Sequence, residues 1–192
     1  MAILTAVVVI LQLVGSQIRF GPFSISLVLI PIVVGAALYG PLAGAWLGFV
    51  FSVIVLIMDS AAFMAINAFG TVLTVLLKGT LAGLIAGFVY RFFRKWALIF
   101  KNLDSGKESW QINMGVVMAA IICPIVNTGI FVLGCLIFFL PTLREWGAAN
   151  GYSNVARYLF LGMIGANFLV ELLINLILSP VIVQIIHLGR RK

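Results

Sequence analysis

The sequence predicts an all-α integral membrane protein, a bundle of six transmembrane helices forming one domain over residues 1–192. Three observations carry that expectation. Of the 192 residues, 64% are hydrophobic and 9% are charged, whereas an ordinary soluble domain carries about 25% charged residues. The apolar residues gather into six runs divided by short segments rich in glycine, proline and polar groups. Most basic residues stand at the edges of those runs, as membrane-flanking residues do. A chain with so few charges cannot cover its surface with groups that water solvates, and lipid is the solvent it fits.

The first span runs over about 2–14. MAILTAVVVILQLVG has no basic lead and is followed by further apolar spans, so it reads as a membrane helix and not as a cleaved leader. It is short against the roughly 20 residues that a spanning helix needs. The second span, about 24–38, contains Pro31, which is expected to disturb a straight helix. Tyr39-Gly40-Pro41 then signals a tight turn. The third to sixth spans cover about 42–58, 68–92, 113–140 and 155–188.

Small residues recur every four positions in Gly40, Gly44 and Gly48 and again in Gly79, Gly83 and Gly87. Such rows strip side chains from one helix face and let two backbones approach closely in lipid, so they are read as packing faces inside the bundle. Cys123 and Cys135 stand twelve positions apart in one span, roughly 18 Å along a helix and beyond the reach of a disulfide.

The basic residues orient the bundle. Arg91, Arg94, Lys95, Lys101 and Lys107, with Arg190, Arg191 and Lys192, make eight of the twelve, against Arg19, Arg144 and Arg157 on the other side. The positive-inside rule then puts both termini in the cytoplasm. Nucleic acid is not an expected partner, because no basic stripe is interleaved with base-stacking aromatics.

Function is sought in the polar residues of the spans, which are costly to leave in hydrocarbon. Lys78 shares one face of the fourth span with Thr71 and Thr74. Glu171 lies between Asn167 and Asn175 at four-residue spacings in the sixth, and Asn127 and Thr128 follow Pro124 in the fifth. Lys78 and Asn167 are each roughly 15–18 Å deep, with Glu171 slightly deeper and Asn127 near mid-membrane. A cation, an anion and several amides at one depth suit a small polar or zwitterionic solute, or one bearing a carboxylate that Lys78 would hold. Asn67 and Asp59 bracket an outer loop containing Phe63, a candidate lid. The expected substrate-binding set is Lys78, Asn127, Asn167, Glu171, Thr74 and Asn67. A plain Lys78–Glu171 ion pair locking the fourth span to the sixth is the structural alternative. His187 reads as interfacial. No metal or other cofactor is called for, and no zinc-protease, nucleophile-elbow or P-loop motif is present, so an enzyme is not expected.

The stretch from Ile25 to Phe49 (ISLVLIPIVVGAALYGPLAGAWLGF) joins an apolar helix with an internal proline, a Tyr-Gly-Pro turn and a Gly/Ala-rich helix. In this it resembles the substrate-binding (S) components of energy-coupling factor (ECF) transporters, bacterial vitamin-uptake systems. The likeness extends over the whole chain in span number and in the position of the basic loop. It implies a six-helix S component in the bacterial plasma membrane that binds a vitamin-like small molecule on the outer side. It also implies docking on a membrane coupling protein that carries two cytoplasmic ATPases. The family's Ala-x-x-x-Ala contact motif is matched by Ala2 and Ala6. The second-to-third helix pattern looks most like pantothenate-type members, with riboflavin- and folate-type members next. The competing expectation is a self-sufficient secondary carrier or channel that uses the Lys78–Glu171 pair.

Overall fold

The computed structural model describes residues 1–17, 19–20, 23–24, 27–100 and 105–190. Side chains are described among these except at 19–20, 23–24, 97–100, 105–112, 166–167 and 187–190. The expected positions of Lys101, Lys107, His187 and Arg190 to Lys192 therefore fall, in whole or in side chain, outside the described residues. Helix α1 covers Ala2–Gly15 and is followed by a two-residue antiparallel pair, β1 (Arg19–Phe20) with β2 (Phe23–Ser24). Then come α2 (Leu29–Tyr39), α3 (Pro41–Met58), α4 (Ala61–Ile66), α5 (Ala68–Phe100), α6 (Ser105–Phe138) and α7 (Leu140–Ala149). A single turn, α8 (Val155–Arg157), runs into a π-helical stretch (Tyr158–Met163) and then α9 (Gly165–Arg190).

Among the described residues, four helical stretches are long and apolar enough to cross a membrane: Pro41–Met58, Ala68–Trp96, Asn113–Phe138 and Phe168–Ile186. Helices α1 and α2 are apolar but shorter. The second apolar run behaves differently from expectation. Ser24 belongs to β2, the helix begins at Leu29, and Pro31 falls in its first turn. A proline there lacks only an N–H that no helical carbonyl would have received, so it starts the helix and does not break it. The last run also differs: it widens into the π-helical stretch, where the Ile164 N–H donates to the Leu159 carbonyl at 2.8 Å.

The centre of the bundle is a backbone-to-backbone seam between α3 and α5. A Cβ on Gly44 would fall on the Gly83 carbonyl oxygen, and one on Gly48 on that of Gly79. Gly83 and Gly79 meet the Gly44 and Gly48 carbonyls in return, and Gly87 lies against Pro41. The glycines thus face each other between residues 41–48 of α3 and 79–87 of α5, with the chains antiparallel. On its other side α5 packs on α6, where Gly134 lies against the Thr74 side chain and Gly70 against Phe138. Phe51, Leu47, Val33, Ile32 and Leu29 fill the core beside the seam, all fully buried. A second cluster around Phe139, Leu143, Leu159 and Met163 caps the bundle at the end away from Arg91 and Arg94.

Replacing Gly48 by leucine drives a side chain into a backbone carbonyl that cannot move without parting α3 from α5. We predict a loss of roughly 1–3 kcal/mol or more, seen as a lower unfolding temperature in detergent and a polydisperse size-exclusion profile. Gly129→Ala is the control: its Cβ meets nothing within 4 Å, and its unfolding temperature is expected to stay unchanged.

Candidate functional site

Fixing α5 between α3 and α6 determines where its polar face points. Thr71, Thr74 and Lys78 line a cavity together with Asn127, Thr128, Phe131 and Cys135 of α6, Glu171 of α9, and Ile164 just before it. Val55, Asp59, Ser60 and Phe63 close it from the α3–α4 side. The cavity volume is about 70 Å³.

The Lys78 ammonium stands 5.1 Å from the centroid of the Phe131 ring and 5.8 Å from that of Phe51. Ring faces attract a cation through their quadrupole, most strongly where water is scarce. Two carboxylates, Glu171 and Asp59, line the same cavity as Lys78. Glu171 is 2% exposed, Thr74 4% and Asn127 6%. The Asn127 side-chain oxygen and the Thr74 hydroxyl have no hydrogen-bond partner among the described residues. Polar atoms buried in that state are costly and are ordinarily satisfied by another group. The hydroxyl of Thr71, by contrast, donates to the Asn67 carbonyl at 2.8 Å.

Four residues expected to form the site, Lys78, Thr74, Asn127 and Glu171, therefore line one cavity. Asn67 does not join them. Its side-chain oxygen accepts from the Gly70 N–H at 2.9 Å, the geometry of an N-cap holding the first turn of α5. Asn167 lies in α9, but its side chain is outside the described residues. Asn175, also in α9, donates back to the Glu171 carbonyl at 2.8 Å and does not line the cavity.

One residue beside the cavity, Gln12, is not among those expected from sequence. Gln12, fully buried in α1, donates to an Asp59 carboxylate oxygen at 3.2 Å and so ties the first helix to the cavity rim. A glutamine in an otherwise apolar helix was the signal available. Phe63 of α4 sits in an aromatic cluster. Its ring centroid is 5.1 Å from that of Phe139, 5.7 Å from Trp146 and 5.9 Å from Phe131, all in edge-to-face geometry. Such pairs add about 0.5–1.5 kcal/mol each beyond area burial. The loop bracketed by Asp59 and Asn67 is thus a short helix whose aromatic residue covers the cavity.

At the far end of α1, Ala2 and Ala6 are exposed, as is Ile3 between them. Thr5 turns the other way and accepts a hydrogen bond from the Trp46 indole at 3.3 Å. The Ala-x-x-x-Ala face is therefore open while the opposite side of the helix is packed.

A family model described as ECF transporter, substrate-specific component matches residues 1–183. No curated protein and no solved structure matches the chain. With that match covering nearly the whole helical bundle and its internal polar cavity, the chain belongs to the substrate-specific component family of ECF transporters, a family of multi-pass membrane transport components and not of enzymes.

Proposed function

We propose that this chain captures a vitamin-like molecule bearing a carboxylate in the Lys78 cavity, on the outer side of the bacterial plasma membrane. The observation that carries this reading is one cavity containing a cation flanked by ring faces and two buried, unpartnered polar atoms, Thr74 Oγ1 and Asn127 Oδ1. A carboxylate would seat on Lys78, and hydroxyl or amide groups of the solute would satisfy Asn127 and Thr74. Glu171 would take a donor or a positive group. Pantothenate, with a carboxylate, hydroxyls and an amide, fits that complement first; riboflavin and folate come next. With Lys78 and Glu171 in one cavity, the secondary-carrier alternative retains its chemistry, but membership of a substrate-specific component family favours capture for a separate motor.

The cavity is smaller than the roughly 150 Å³ that holds benzene in an engineered protein core. Loading a vitamin then requires it to widen, and α4 with Phe63 is the element we assign to that motion. The cargo is next handed to a coupling protein with two cytoplasmic ATPases, which supplies the energy this chain has no P-loop to draw. Docking uses the open Ala2/Ala6 face of α1. In this reading both termini face the cytoplasm, with the basic end of α5.

Isothermal calorimetry on the purified protein, with pantothenate, riboflavin, folate, thiamin, biotin and pyridoxine as the panel, tests the reading. Tight binding of one compound without ATP or an ion gradient supports it; flux through liposomes containing this chain alone contradicts it. Lys78→Ala is expected to weaken binding by about tenfold or more in a folded, monodisperse protein, with Lys78→Arg recovering part of the loss. Ala6→Leu is expected to leave binding in detergent unchanged and to abolish co-purification with the coupling module. Unchanged co-purification of that variant removes α1 from its docking role.

A further inference from the structure

We propose that a second site, at the basic end of the bundle, holds the phosphate group of an anionic phospholipid. A cavity of about 290 Å³ lies between the Tyr39-Gly40-Pro41 turn and the stretch of α5 from Gly87 to Arg94. It has a fixed frame. Gly87 packs against Pro41, so the turn and the helix touch at one side of the cavity and part around it.

Arg91 and Arg94, both exposed and three residues apart on one helix, line this space. None of the described carboxylates does: Asp59 and Glu171 line the other cavity, and Glu145 belongs to α7 at the opposite end. Two guanidinium groups beside a concave surface are the chemistry that grips phosphate, because each offers parallel N–H donors to two oxygens. The turn adds to this. Pro41 opens the 18-residue helix α3 at the cavity, which brings the positive end of a helix dipole to the same place.

The surroundings favour a lipid headgroup over a soluble ion. Tyr39 at the end of α2 and Trp96 near the end of α5 are 59% and 50% exposed, the ring types that favour the level where headgroups meet acyl chains, and exposed Phe88 and Phe92 continue the apolar stripe along α5. Basic pockets between helices on the cytoplasmic side are where anionic headgroups bind. Such a lipid would fill the space beside the α2–α3 turn and hold the end of the glycine seam together. This inference goes beyond the proposed vitamin site and does not depend on it.

The test is native mass spectrometry of the full chain in neutral detergent with phosphatidylglycerol or phosphatidylcholine. It is run on the wild type, R91A/R94A, R91K/R94K and K95A, and monodispersity is checked for each. The wild type is expected to retain phosphatidylglycerol over phosphatidylcholine. Its affinity should fall by about tenfold or more in R91A/R94A, fall less in the lysine pair, and hold in K95A, whose lysine does not line the cavity. An equal fall in K95A would mean diffuse surface charge and would overturn the site. Unchanged lipid retention in R91A/R94A would also overturn it and leave the arginines to a protein partner. A second arm adds millimolar inorganic phosphate and follows unfolding temperature. Stabilisation of the wild type but not of R91A/R94A, without phosphatidylglycerol retention, would keep the phosphate site and reject the lipid as its source.

Discussion

The contact on which the structure depends is the seam where α3 and α5 meet backbone to backbone. In lipid no hydrophobic effect drives helices together, so association rests on close packing and on the polar groups that packing shelters. Here the Gly44 and Gly48 carbonyls sit where any side chain on Gly83 or Gly79 would have to go. That contact fixes the rotation of α5 as well as its distance from α3. Lys78, beside Gly79 in the chain, is thereby aimed at the space between α3, α6 and α9. Gly134 against Thr74 fixes the other side. The same seam ends at Pro41 and Gly87, which frame the cavity between the arginines and the turn.

A cation inside a membrane bundle is costly, and a protein keeps one only where other groups offset the loss of water. Around Lys78 that offset comes from the Phe131 and Phe51 ring faces, and the Glu171 and Asp59 carboxylates line the same cavity. An aromatic cluster with Phe63 at its centre packs over the same cavity.

Much of this was legible in the sequence, and the reasons differ by residue. The glycine rows and the Thr71–Thr74–Lys78 face follow from helical periodicity, which operates over a few residues and survives in any packing. Asn127 and Glu171 were legible because polar groups in apolar spans are rare. What failed to show was long-range or degenerate. The Gln12–Asp59 hydrogen bond joins residues 47 apart, and the partners of Phe63 come from α6 and α7. Asn67 reads from sequence as a pocket residue because a capping asparagine and a ligand-binding one look alike until the N–H it accepts from is known. Pro31 reads as a disruption only if the helix starts at about residue 24; with the helix starting at Leu29, five residues later, it falls in the first turn, where it is favourable.

The central claim is that Lys78 receives a carboxylate in a cavity closed by α4. The most direct measurement is a structure of the protein purified with its bound solute. The account predicts a ligand carboxylate oxygen at about 2.7–2.9 Å from the Lys78 Nζ, with Asn127 and Thr74 bonded to the same molecule. A ligand bound elsewhere, with Lys78 held by Glu171 alone, would contradict it.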